Sequence, residues 1–128
     1  MAETGHFGDI VFEASADAVK TWDRLRRSRQ ARFASHDVAQ GKARLEFTGV
    51  ELQEINLEVR LDARFVNPAR EARALDDALE AGEPRPLVLG GTPLGKYVLR
   101  DVSERVERTD GQGRIMVSVI KLRFKEYN

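Results

Sequence analysis

Four groups of residues have types and spacings that could carry chemistry. Gly90-Gly-Thr-Pro-Leu-Gly-Lys96 matches GxxxxGK, the body of a phosphate-binding loop, and comes directly after the strand-like Pro86-Leu-Val-Leu89. Such a loop cradles phosphate with backbone N–H groups and needs a Ser or Thr hydroxyl after the lysine to hold Mg²⁺. Tyr97 stands at that position. The residues beyond Tyr97 lean towards strand rather than a helix whose N-terminus could receive an anion. The segment therefore reads as a plain β-turn. His6 and His36 are the two histidines. His36-Asp37 has the types of a base and its orienting carboxylate, but adjacent strand residues face opposite ways and no nucleophile accompanies them. Two distant histidines without a thiolate make a poor zinc site. His36 reads as a surface or interface residue.

The third group is Arg24-Leu-Arg-Arg-Ser-Arg-Gln-Ala-Arg32, with five arginines in nine residues. In a chain with 21 basic and 21 acidic residues this is a local asymmetry. Arg24, Arg26, Arg27, Arg29 and Arg32 fit first a protein interface, through bidentate pairs with carboxylates. A solvated loop is the second reading. Contact with nucleic-acid phosphate is the third, since no aromatics are interleaved to stack bases. The fourth group is acidic: Asp76, Asp77, Glu80 and Glu83. They read as a solvated helix face and, secondarily, as the complement of those arginines on a neighbouring copy.

No other constellation suggests a reaction, and composition narrows the classes further. The 128 residues fit one domain, long enough to bury roughly two-thirds of the unfolded surface. Zero net charge gives no global pull towards nucleic acid or acidic lipid. Absence of cysteine removes disulfides, thiolate metal sites and cysteine nucleophiles together. No apolar run approaches a membrane span, and Met-Ala-Glu-Thr-Gly-His has no signal-peptide character. The expectation is a cytoplasmically made protein without an export route, with no cofactor, metal, membrane or small-molecule substrate, and not an enzyme.

The elements that would hold these groups are mostly strands. Residues 54–65 alternate strictly: Ile55, Leu57, Val59, Leu61, Ala63 and Phe65 against Glu54, Asn56, Glu58, Arg60, Asp62 and Arg64. Period two with one charged face predicts a long strand in an antiparallel sheet. Phe7 to Ala14 reads as a first strand. Residues 15–29 are open between helix (Ala16, Val19, Trp22) and other structure. Segments 30–38 and 44–48 read as short strands around Gln40-Gly41-Lys42. Asn67 as N-cap, Pro68 at N1, the stripe Ala72, Leu75, Leu79 and Gly82 at C′ predict a helix over about 67–81. Gly90 to Gly95 reads as turn. Residues 96–108 tip towards a strand, with Val98, Val102 and Val106 on one face, joined through Asp110-Gly-Gln-Gly113 to a final strand at 114–125. There Val117 and Val119 oppose Ile120, Leu122 and Phe124, which requires either a bulge or cover on both sides.

The ordered set of blocks resembles the GpU family of phage tail proteins. The matching residues are Phe7-Gly-Asp-Ile-Val-Phe12, Ala31-Arg-Phe-Ala-Ser-His-Asp37, Leu45-Glu-Phe-Thr-Gly49 and the Glu54-Ile-Asn-Leu-Glu-Val-Arg-Leu61 strand. They continue with Asn67-Pro68, Pro86-Leu-Val-Leu-Gly-Gly91, Gly95-Lys-Tyr-Val98 and Leu122-Arg-Phe-Lys-Glu-Tyr127. The family carries no catalytic motif. The resemblance implies an α+β, mainly β fold: a tail-tube-like antiparallel β-sandwich or barrel with one flanking helix. It implies a structural subunit of a contractile phage tail or tail-like injection particle. That subunit would form a six-fold ring at the baseplate-proximal end, contacting its own copies, the tail tube protein, the baseplate hub and a LysM-type baseplate protein. The segment 23–32 would then be an extended loop reaching a neighbouring subunit. The alternatives are a tail terminator at the other end and, in another class, a nucleic-acid-binding module using Arg24–Arg32.

Overall fold

The computed structural model describes residues 2–14, 19–20, 22–39 and 41–127. In chain order the elements are β1 (Ala2–Phe7), β2 (Ile10–Ala14), β3 (Val19–Lys20), β4 (Trp22–Ser28), β5 (Ala31–His36), β6 (Arg44–Val50) and β7 (Glu54–Asp62). They continue with α1 (Pro68–Ala81), β8 (Arg85–Leu89), β9 (Thr92–Thr109) and β10 (Ile115–Glu126). Eight strands form one antiparallel sheet in the order β3-β2-β1-β8-β9-β10-β7-β4. The sheet curls into a half-barrel. Its two outermost strands, β3 and β4, are consecutive in the chain, and β3 touches β7 from the far side of the order. β5 and β6 form a separate two-stranded sheet.

Strict alternation does its work in β7. Ile55, Leu57, Val59 and Leu61 are at most 1% exposed. They meet Ser118, Ile120, Leu122 and Phe124 of β10 in an unbroken antiparallel register, with Phe7, Phe12, Leu87, Tyr97 and Leu99 completing the core. The strand stops at Asp62, three residues short of the predicted Phe65. There the Asp62 carboxylate accepts from the Arg64 backbone N–H at 2.9 Å, and the Asp62 carbonyl from Phe65 and Val66. A side chain that satisfies the next backbone donors offers the chain a turn instead of a ladder.

The helix obeys its signals. The Asn67 side chain accepts from the Arg70 N–H at 3.3 Å, and Gly82 ends the helix at φ 62°. Leu75 and Ala78 join the core, with Ala72 and Leu79 packed beside them. The helix lies against β7, β9 and β10.

Several boundaries differ from the sequence-based expectation. The first strand is a hairpin, β1–β2, turning at Gly8 with φ 58°. Of the region 15–29, residues 19–20 and 22–28 are strand (β3 and β4) and Arg29 joins β4 to β5; Ala16 with the rest of 15–18, and residue 21, lie outside the described residues. Gly90 and Gly91, with φ 59° and 78°, make a two-residue turn, so Thr92 to Gly95 already belong to β9. The pairing of β9 with β10 slips at three places, through bulges at Arg100 and Glu107 on β9 and at Met116 on β10. The first puts Val98 and Val102 on opposite faces, against the shared face expected from spacing. β10 keeps its register with β7. Val117 is 7% exposed on the outer face, so this strand is covered on both sides there.

Candidate interaction surface

Register assembles two surfaces out of residues far apart in sequence. On the outer face of the sheet, β7 sets Glu54, Asn56, Glu58 and Arg60 beside Lys125, Arg123, Lys121 and Val119 of β10. β9 adds Asp101, Ser103 and Arg105. Cross-strand ion pairs tie this face together: Arg60–Glu107 at 2.7 Å, Arg24–Glu58 at 3.3 Å and Arg100–Glu54 at 3.6 Å, with Arg105 also meeting Glu107 along β9 at 3.1 Å. Hydrogen bonds from Arg60 and then Arg105 hold the Glu107 carboxyl below the usual range. Such exposed pairs are individually weak and salt-sensitive. Asp62 is a stronger case. It is 8% exposed, and the Arg64 side chain donates to both of its oxygens at 2.8–3.1 Å. Those bonds, with the Arg64 backbone N–H, lower its pKa to about 2.

The five arginines are not a loop. Arg24, Arg26 and Arg27 lie on β4, the edge strand paired with β7. Arg24, with φ 49°, and Leu25 together oppose Leu57 in a bulge. A bulge and charged side chains both hinder pairing of a further strand on that edge. Arg27 turns to the other face and meets the Gln53 amide, which lies 2.8 Å from Nε, 2.7 Å from Nη2 and 3.2 Å from the Tyr97 hydroxyl. With the amide oxygen towards the guanidinium, Gln53 accepts twice from Arg27 and donates to Tyr97. Burial is the main reason the Tyr97 hydroxyl titrates above its ordinary value. Arg29 sits at the joint between β4 and β5, and Arg32 on β5, 3.6 Å from Glu51. Arg26 and Arg29 make no ion pair among the described residues. Register thus gives the arginines separate roles.

The second surface is the β5–β6 hairpin. It continues the β4–β7 ladder outward: Ser28 pairs with Glu54, Glu51 N–H donates to the Gln30 carbonyl at 2.8 Å, and Ala31 pairs with Val50. The outreaching element is therefore residues 31–50, with the arginine segment at its root. One face carries Phe33, Leu45, Phe47 and Val50, which are 55–70% exposed. Phe33 and Phe47 meet edge to face at 5.7 Å. The opposite face carries Arg32, His36, Arg44 and Glu46, with His36 Nε2 2.6 Å from Glu46. His36 is thus an exposed hairpin residue bound to a carboxylate and not part of a dyad with Asp37. β5 and β6 pack extensively only on each other. Sequence reading found these two strands but not their uncovered apolar face. The signal was present, since Phe33, Leu45 and Phe47 alternate with polar residues as the core strand does.

No group of three His, Asp or Glu residues close enough to hold a metal occurs among the described residues. Lys96 is exposed within β9, paired with Pro86 of β8, and does not precede a helix.

Residues 8–128 match the family model described as Phage P2 GpU. No curated protein matches the chain. Among solved structures, one similar chain comes from the tail of an empty GTA particle refined with C6 symmetry. It is 12% identical with a TM-score of 0.49, over 84% of this chain and 78% of that one.

Proposed function

The chain belongs to the GpU family of phage tail proteins, and from that premise we propose that it forms a six-membered ring at the baseplate-proximal end of the tail. It is a structural component of a phage tail or tail-like particle. In the proposed ring it joins the tail tube to the hub and a LysM-type baseplate protein, and has no catalytic role. The observation that carries this reading is the uncovered apolar face of the β5–β6 hairpin. A lone two-stranded hairpin is marginal in water, and a contiguous exposed apolar patch marks an interaction site. An arm on one side of a compact body makes a head-to-tail contact, which closes into a ring when the rotation fits. The nucleic-acid reading is disfavoured by the same geometry. Phe33 and Phe47 occupy one face of the hairpin while Arg32 and Arg44 occupy the other, so no base could stack and meet these cations together.

The test is to locate a tagged copy in assembled particles by electron microscopy with symmetry analysis. One ring of six copies next to the baseplate is the expected result. A ring at the opposite end would establish the terminator alternative, and labelling along the whole tube would overturn both.

A further inference from the structure

Resting on the reading of the chain as a ring subunit, we propose that the β5–β6 hairpin of one copy seats against the α1 side of the next copy. The hairpin offers an apolar face flanked by positive charge: Arg29 stands at its root and Lys42 in its turn, neither with an ion pair among the described residues. Residues 24–50 as a whole hold seven basic side chains and two acidic ones.

The α1 side offers the converse. An open groove of about 880 Å³ runs between the β7–α1 connection and the start of β10, lined by Phe65, Val66, Pro68, Ile115 and Met116. The charges at its rim are already matched, Arg64 with Asp62 and Arg114 with Asp110 at 2.7–2.8 Å. The groove therefore presents an apolar lining rather than free charge. Further along the same helix Asp76, Asp77 and Glu80 are exposed, as is Glu83 just past its end. Residues 74–83 contain no basic residue, and none of these four carboxylates makes an ion pair among the described residues. One copy does not bring the two surfaces together: its hairpin continues the β4–β7 ladder and makes no extensive contact with α1. A second copy can. Phe33 and Phe47 then enter the groove, and Lys42 at the tip approaches the carboxylates of α1, while Arg29 stays at the other end of the hairpin. This also accounts for a chain of zero net charge with strong local charges: each copy is complementary to its neighbour and not to itself.

The experiment is a charge swap read in assembled tails. Lys42→Glu forms the arm variant, and Asp76→Lys with Asp77→Lys and Glu80→Lys forms the helix variant. A third chain combines both sets. All positions are exposed, so unchanged melting by circular dichroism checks that each chain folds. Either variant alone is expected to lower tail numbers about tenfold or more, and the combination to restore them to within about twofold of wild type. As a second measurement, a zero-length carbodiimide coupler applied to wild-type tails should join Lys42 to a carboxylate among residues 76–83, identified by mass spectrometry. Normal assembly of the helix variant, failure of the combination to rescue, or absence of that cross-link in assembled tails would overturn the proposal. The ring reading is judged separately by microscopy. A six-fold ring whose arm variant fails while its helix variant assembles would refute this docking and leave the ring intact.

Discussion

β7 and the β5–β6 hairpin are written in the same alternating code and end in opposite environments. Ile55, Leu57, Val59 and Leu61 disappear from solvent, whereas Phe33, Leu45, Phe47 and Val50 remain mostly exposed. The hairpin is even the direct extension of the β4–β7 ladder. Period two says that one face of a strand is apolar and says nothing about what covers it. For β7 the cover is the curled sheet and α1 of the same chain. For the hairpin the described residues provide no such cover. One pattern builds the fold, and the other is available to build an assembly.

The sharpest way to break this comparison is the same insult in both places. Leu57→Asp places an unpaired carboxylate in the core, at a cost of several kcal/mol that rivals the stability of a small domain. We expect insoluble or unfolded protein. Phe47→Asp on the hairpin should shift stability by no more than about 1 kcal/mol, the scale of a lost aromatic pair on an exposed surface. Cooperative melting of a soluble Leu57→Asp chain, or collapse of Phe47→Asp, would show the contrast to be wrong.

Next in size is the effect on assembly. Phe33→Ser with Phe47→Ser should melt within about 1 kcal/mol of wild type yet be missing from purified tails, because central aromatic anchors each contribute about 2 kcal/mol or more to an interface. Incorporation at normal copy number would mean that the hairpin face stays wet in the particle.

A smaller effect separates the two regions by pH. The Asp62 pKa lies near 2 instead of 3.8, a depressed carboxylate. Its stabilisation is therefore complete above the unfolded value, near pH 4, and is lost as pH falls through about 2. Asp62→Asn should destabilise by about 1 kcal/mol at neutral pH, discounted for the exposed Arg64 partner. Denaturant melts at pH 7, 4, 3 and 2 should show this deficit shrinking steadily below pH 4. A deficit constant with pH would assign it to packing. The smallest expected effect is at the loop-like motif. Lys96→Ala should leave melting within about 0.5 kcal/mol of wild type. Neither ATP nor GTP should raise the melting temperature, and a nucleotide-dependent rise abolished by the substitution would restore the phosphate-loop reading.

The arginine segment shows where linear reading stopped. Five arginines in nine residues look like one unit, but β4 pairing sends Arg26 and Arg27 to opposite faces. Arg27 is tied to Gln53, with Tyr97 on the other side of that amide, and Arg29 is left at the root of the hairpin. Reversing all three at once would disturb the body as well as the surface, so Lys42 in the hairpin turn is the cleaner position to change. The outer-face ion pairs were equally hidden, because Arg60 and Glu107 stand 47 positions apart.

By itself the sequence determined what depends on neighbours in the chain. Asn67, Pro68 and Gly82 set the helix because caps act within one turn. The alternation of 54–61 set a strand and its buried face because side chains alternate along any extended backbone. Absence of cysteine removed thiolate chemistry through missing atoms, and Tyr97 after Lys96 left the GxxxxGK segment without its Mg²⁺-binding hydroxyl. The tertiary structure alone decided what depends on pairing across the fold: the order of eight strands, the bulges at Arg100 and Glu107, the early stop at Asp62 and the dispersal of the arginines. It alone also decided that the hairpin's apolar face would stay uncovered. Burial is a property of the space around a residue, and that space is made by segments whose partners no local period can name.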